Sequence, residues 1–165
     1  MGVDIGGSSR VGIAIVNDKD KLLMSGNIPF VKKEGVGSHR RKMTKHIRQL
    51  VEEFDVGAIV IERVKMHRGK RLSKLSAIVS LARAGVGVFD AVYDLECKVY
   101  DIETVSWKAQ VLGTRSATKE DAVWFVKNVY KNTVPHDEAD AICQAIYLAR
   151  NYYRSDNIMK EITDK

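Results

Sequence analysis

The segment Gly57-Ala58-Ile59-Val60-Ile61-Glu62 constrains the fold more than any other part of the chain. It is apolar without alternation, so as a strand it has no face to give to water. Such a strand belongs in the middle of a sheet covered on both sides. It also ends on a single carboxylate, Glu62, delivered at its C-terminal end.

The segments before it have a different period. Gly2–Gly6 and Arg10–Val16 flank Gly6-Gly7-Ser8-Ser9, and Val11, Ile13 and Ile15 alternate with small or basic residues. That is the two-residue period of a strand. Asn17-Asp18-Lys19-Asp20 reads as a turn. Lys21–Ile28 reads as a third strand closed by Pro29. Three strands with short links predict an antiparallel meander.

The period then becomes helical. Ser38 is expected to cap a helix in which Met43, Ile47, Leu50, Val51 and Phe54 share a face. After the buried strand come a basic loop and a helix from about Ser73 to Val92. A fifth strand follows at Cys97–Ile102, then helices at Thr104–Leu112, Thr118–Tyr130 and Asp137–Tyr153. The expectation is an α/β protein with one mixed sheet between helices. Residues 1–154 would form one domain, and 155–165 a polar tail that frays. At 165 residues such a domain buries about 70% of its unfolded surface and needs no disulfide or metal to fold. Cys97 and Cys143 match no zinc or redox spacing and are expected to be buried free thiols. No run approaches the roughly 18 apolar residues of a membrane span. Met1-Gly2-Val3-Asp4 enters the strand pattern at once, which leaves no room for a signal peptide, so a cytoplasmic protein is expected.

The net charge of +6 is unevenly placed. Residues 31–50 hold Lys32, Lys33, Arg40, Arg41, Lys42, Lys45 and Arg48 against Glu34 alone. Residues 63–74 hold Arg63, Lys65, Arg68, Lys70, Arg71 and Lys74 with no acid. The two stretches carry +12 and the remainder −6. Clustered bases attract polyanions, because neutralising phosphates releases counterions. Nucleic acid is the expected partner, with Arg40, Arg41, Arg63, Lys65, Arg68, Lys70, Arg71 and Lys74 as its contacts.

Among the acids, four stand out by position. Asp4 lies within the first strand and Glu62 ends the fourth. Asp137 and Asp140 are three apart on the last helix, on one face. If the first and fourth strands are neighbours, Asp4 and Glu62 are adjacent, and a helix docked across their ends adds Asp137 and Asp140. Clustered carboxylates cannot all ionise without a counter-charge. An all-oxygen donor set of this kind suits Mg²⁺, with Mn²⁺ as a substitute. No Ser-His-Asp or Cys-His arrangement is visible. His39, His46 and His67 lie in basic segments, and His136 precedes Asp137.

The pattern resembles the RuvC family of Holliday-junction resolvases, within the RNase H-like superfamily. The resemblance rests on Gly2-Val3-Asp4-Ile5-Gly6 with Gly12, on Ile61-Glu62-Arg63-Val64, and on Asp137-Glu138-Ala139-Asp140-Ala141. It extends to Val105-Ser106-Trp107-Lys108 with Val111, Gly113 and Lys119, and covers about residues 2–150. In length the chain is similar to phage-encoded members. The resemblance implies a five-stranded RNase H-like sheet and a homodimer that nicks opposed strands of a four-way junction. It implies Asp4, Glu62, Asp137 and Asp140 as ligands of two Mg²⁺ ions, with Lys108 and Lys119 near the scissile phosphate. Family members often carry an aromatic residue after the catalytic glutamate. Val64-Lys65-Met66-His67-Arg68 has none, so phosphate contacts, which position without reading sequence, are expected to dominate. Two other readings compete. Asp4-Ile5-Gly6-Gly7-Ser8-Ser9 also looks like the phosphate loop of actin-like and sugar-kinase ATPases, which need a second domain. A single-site RNase H-like nuclease on other branched DNA or RNA is the nearer alternative.

Overall fold

The computed structural model describes residues 1–5, 10–29, 35–63 and 75–163. Five described strands, β1 (Gly2–Asp4), β2 (Arg10–Val16), β3 (Leu22–Pro29), β4 (Ala58–Glu62) and β5 (Lys98–Ile102), form one sheet in the order β3-β2-β1-β4-β5. β1, β2 and β3 are an antiparallel meander, and β4 and β5 join parallel to β1. The helices are α1 (Gly35–Phe54), α2 (Leu75–Val92), α3 (Thr104–Leu112), α4 (Lys119–Tyr130) and α5 (His136–Thr163).

Strand alternation sorts the side chains into two cores. Val3, Val11, Ile13, Ile15, Ile59 and Ile61 face α1 and α2, where they meet Met43, Ile47, Leu50 and Val88. The opposite face is built from smaller residues. Ala14, Ala58 and Val60 meet Trp107, Val126, Ile142 and Ile146 from α3, α4 and α5. The continuous apolar run of β4 thus serves both layers, as its composition requires.

Glycine decides how close α5 can come. A Cβ on Gly2 would lie 2.1 Å from the Ala141 carbonyl oxygen, and one on Gly12 would lie 1.9 Å from that of Asp137. No side chain fits at either position. The helix backbone therefore rests directly on β1 and β2, with Ala139, Ala141 and Ala145 buried in the contact.

Most expected elements stand within two residues of where the sequence places them. α1 differs, beginning at Gly35 so that Ser38 lies inside its first turn. Pro29 is the last residue of β3, opposite Arg10, a position open to proline because β3 is an edge strand. Thr118 caps α4 reciprocally with Asp121, the Thr118 hydroxyl accepting from the Asp121 N–H and the Asp121 carboxylate from the Thr118 N–H. α5 continues past Arg154 to Thr163, so residues 155–163 of the expected tail extend the last helix, and the last two lie outside the described residues. Cys143 is buried, but Cys97 is only half-buried at the approach to β5; both are free thiols. Among the described residues, no helix is long and apolar enough to cross a membrane.

Because α5 sits on bare backbone at Gly12, the variant Gly12→Ala is expected to lose about 3 kcal/mol or more of stability, the upper end of overpacking costs. Urea denaturation checks this, and an unchanged midpoint would refute the close seat.

Candidate active site

The sheet register sets the first two acids side by side. β1 and β4 pair in parallel through Gly2 with Val60 and Val3 with Ile61. The next step of that register places Asp4 level with Glu62. Both side chains follow the alternation of Gly2 and Val60, and so lie on the α5 side of the sheet. Asp4 also pairs with Gly12 across β2. Gly12 is where the Asp137 carbonyl touches down, so the first turn of α5 brings Asp137 and, one turn on, Asp140 to the same end of the sheet.

Asp4, Asp137 and Asp140 are all buried. Burial is the main force that pushes the Asp4 carboxyl up to about 8, with the charges of Asp140, Glu62 and Asp137 adding to it and Lys119 opposing. The Asp140 carboxyl is pushed up to about 6, again chiefly by burial. Lys119 and Lys108 oppose that rise, while Glu62 and Asp137 add to it. The four acids and two lysines singled out from the sequence therefore form one electrostatic unit.

Three residues that sequence reasoning did not assign hold this unit in place. The Thr104 hydroxyl donates to Glu62 Oε1 at 2.6 Å, and the buried Trp107 indole makes a longer contact, 3.4 Å, to Glu62 Oε2. Glu138, which the family motif includes without a role, is buried and accepts from Ser25 Oγ at 2.6 Å and Asn27 Nδ2 at 2.8 Å. It ties the start of α5 to β3. A signal for Thr104 was present. Parallel pairing of Glu62 with Ile102 puts the residue two beyond Ile102 beside the end of β4. Nothing comparable marks Glu138, since its partners are more than a hundred positions away.

Lys108 donates to the Ala117 carbonyl at 2.6 Å and lies 5.6 Å from the centre of the Trp107 ring. Lys119 opens α4 immediately after its cap. The expected DNA contacts divide. Arg40 is ion-paired to Asp90 of α2. Arg63 is paired to Asp101 at 2.6 Å and reaches Glu103 at 4.0 Å. Arg41 is exposed on α1. Lys65, Arg68, Lys70, Arg71 and Lys74 lie outside the described residues.

The donor set fits a hard divalent cation. It is all oxygen and carries more negative charge than burial tolerates. Asp140 Oδ1 is buried with no hydrogen-bond partner among the described residues, an acceptor left over for a ligand. As they stand, no three acid, His or Cys side chains among the described residues gather tightly enough to hold one ion together. The carboxylates share one end of the sheet without converging on a point.

A mixed sheet whose two central parallel strands and final helix bring acids to one end defines an RNase H-like nuclease fold. Within that class, residues 1–148 match the model of the family described as crossover junction endodeoxyribonuclease RuvC, and the chain belongs to that family. Two solved structures are similar. A structure of Thermus thermophilus RuvC shares 20% identity over 93% of this chain and 95% of its own, with a TM-score of 0.74. T. thermophilus RuvC in complex with a Holliday junction substrate shares 20% over 90% and 92%, with a TM-score of 0.71. No curated protein matches the chain.

The raised Asp4 pKa has a thermodynamic sign. The folded state holds the Asp4 proton up to about pH 8, whereas the unfolded chain releases it near 4. Between those values the folded state binds more protons, so this carboxyl's contribution to stability declines as pH rises. Asp4→Asn removes that decline. Without divalent cations, the variant is expected to melt on the order of 10 °C above the parent at pH 8 and close to it at pH 4. Adding Mg²⁺ at pH 8 should raise the parent's Tm more than the variant's. A Tm difference that does not change with pH would overturn the assignment of a carboxyl raised by burial and by neighbouring acids.

Proposed function

We propose that this protein resolves Holliday junctions and related branched DNA by paired, Mg²⁺-dependent nicks that leave 5′-phosphate and 3′-hydroxyl ends. The observation that carries the reading is the joining of Asp4, Glu62, Asp137 and Asp140 into one electrostatic unit in a chain of the RuvC family. The match of residues 1–148 to the RuvC family model favours this reading over the two-domain ATPase one.

Asp4, Glu62, Asp137 and Asp140 would hold the metal, two ions per site. Divalent ions held by these carboxylates would supply Lewis-acid stabilisation of phosphate charge and a water of lowered pKa. The chain's own groups do the rest. Thr104 fixes the orientation of Glu62. The Glu138 clamp and the glycine seat fix Asp137 and Asp140 against Asp4. Lys108 and Lys119 offset the acids' charge and bring positive potential to where a phosphate would approach. Affinity for DNA would come from Lys and Arg contacts to the backbone, so binding and chemistry are separable.

Asp140→Asn is accordingly expected to bind a four-way junction with near-parental affinity and to nick it at least a hundredfold more slowly in Mg²⁺. Gel-shift and single-turnover nicking measure the two quantities. Nicking at the parental rate would overturn the acid assignment. Mapped cuts on a panel of junction, fork, flap and RNA–DNA substrates separate a resolvase from a nuclease of broader choice.

Paired nicks require two sites, and α2 offers a surface for a homodimer. Val79, Val86, Phe89 and Tyr93 follow one another at spacings of seven, three and four. All are exposed, Tyr93 by 82% and Phe89 by 49%. Val79, Val86 and Phe89 share one stripe of α2 and Tyr93 follows directly after its last residue, and a patch of this kind marks an association surface. Light scattering should give twice the chain's 18.5 kDa, and Phe89→Lys should give the single-chain mass and uncouple the two nicks. A parent protein of single-chain mass at assay concentration would sink the dimer. The cytoplasm of a prokaryotic or phage-infected cell is the proposed setting.

A further inference from the structure

We propose that Gln144 is a positioning residue for the acidic site: its buried amide donates to Asp140 Oδ1 when the acids hold cations, and so fixes the plane of that carboxylate. The proposal rests on the metal-dependent reading above and adds to it a residue outside the four acids.

Five polar side chains are buried among the described residues: Asp4, Asp137, Glu138, Asp140 and Gln144. Four are acids of the site or of the clamp beside it. Gln144 is the fifth, with no exposed surface at all. Neither its Oε1 nor its Nε2 has a hydrogen-bond partner among the described residues, and Asp140 Oδ1 is in the same condition. The residues around it on the helix, Ile142, Cys143, Ala145 and Ile146, are buried and apolar. An amide in such surroundings costs stability for as long as it is unpaired.

Helix geometry supplies a partner. Asp137, Asp140, Gln144 and Asn151 follow at spacings of three, four and seven, and so lie along one stripe of α5. Long side chains on a helix lean back toward its N-terminus, over the residues three and four before them. The Gln144 amide therefore leans over the turn that carries Asp140. Glutamine and aspartate four apart on a helix are within hydrogen-bonding reach. The far end of the stripe meets α3, where Asn151 donates to Gln110 Oε1 at 2.8 Å. The polar groups that α3 presents to the acids are committed elsewhere. The Trp107 indole N–H is directed to Glu62, and Lys108 donates to the Ala117 carbonyl.

The acids as they stand do not gather closely enough to hold one ion among the described residues. Drawing them together turns the Asp140 carboxylate, and the amide one turn below is placed to catch its Oδ1. A carboxylate oxygen has two acceptor directions, so Oδ1 can take an amide N–H and a cation together. Hydrogen bonds of this kind orient a metal-holding carboxylate, and their loss weakens metal binding or activity by about 10- to 100-fold.

The test uses the full chain and the variant Gln144→Met, which keeps the length of the side chain and removes both polar atoms. Without divalent cations the variant is expected to melt at or above the parent's Tm, since an unpaired buried amide has gone. Calorimetric titration with Mg²⁺, in the absence of DNA, should give a dissociation constant about tenfold or more above the parent's. The Mg²⁺ concentration for half-maximal nicking of a four-way junction should rise by a similar factor, with junction affinity in EDTA unchanged. Asn151→Ala breaks the pair at the far end of the same stripe and should leave the Mg²⁺ constant as it is. A Met variant with the parental Mg²⁺ constant overturns the proposal. So does a variant that melts well below the parent without metal, which would make the amide part of the packing alone. An equal loss of Mg²⁺ affinity in Asn151→Ala overturns it too, by assigning the effect to the seam between the helices. A parent protein that neither binds Mg²⁺ nor nicks a junction would bring down the functional reading and this proposal with it. A parent that does both, beside a Met variant that matches it, brings down this proposal alone.

Discussion

Everything at the acidic end depends on a helix lying against a strand with no side chains between them. Gly2 and Gly12 leave β1 and β2 bare where Ala141 and Asp137 touch down. Sheets and helices usually stand about 10 Å apart because side chains fill the gap. Here the gap is closed, and the consequence is chemical. Short acids such as Asp137 and Asp140 come within electrostatic reach of Asp4, another short acid on the strand below. Longer side chains on a more distant helix would reach the same point with more freedom and less precision. The large residues displaced from this face appear on the other one. Val11, Ile13 and Ile15 face α1 and α2, while Gly12 and Ala14 of the same strand face α5.

The arrangement is costly as an isolated fold and coherent as a receptor for cations. Asp4 and Asp140 are driven toward their neutral forms by burial and by neighbouring acids. The Met1 amine at the other end of β1 shows the same physics with opposite sign. Burial lowers it to about 5 while it donates to the Ala58 carbonyl. Glu138 is just as buried, yet its two oxygens are satisfied by Ser25 and Asn27. The contrast distinguishes two jobs within one turn of helix. Glu138 has spent its acceptors on the protein, and Asp140 has kept one oxygen unpartnered. A buried acceptor without a donor is disfavoured unless something else fills the place.

How much of this the sequence revealed depends on the range of each interaction. The strands, most helix limits and the β1–β4 adjacency follow from local period and from the apolar run at residues 58–61. The four acids follow from their position on those elements. The start of α1 at Gly35 and the continuation of α5 to Thr163 did not follow, because local signals at Ser38 and after Arg154 point elsewhere. Thr104 was within reach, being fixed by the register of neighbouring strands. Glu138 was not, since its role exists only once β3 and α5 are packed. The fate of the arginines was also hidden. A count of bases treats Arg40, Arg48 and Arg63 like their neighbours, whereas Asp90, Asp94 and Asp101 engage them from other elements.

That last point changes what a basic segment means. Charge along a sequence adds up, but charge on a surface depends on what packs beside it. α1 takes part in two contacts that need opposite treatment. The face toward α2 brings two helices together and offsets its arginines with acids, which fixes their packing while contributing little to long-range potential. The face toward β3 carries Lys42 and Lys45 beside a groove floored by Ile28 and Pro29. Arg suits the first role, with a planar fork matched to carboxylates, and Lys the second, as a mobile point charge. The residue choice on α1 follows that division. Arg40 and Arg48 pair with acids of α2 and the turn after it, and Lys42 and Lys45 line the groove beside β3. The side of α1 that carries Arg40, Thr44 and Arg48 is thus a structural strut against α2, about two-fifths of a turn from the stripe of Lys42, Lys45, His46 and Gln49.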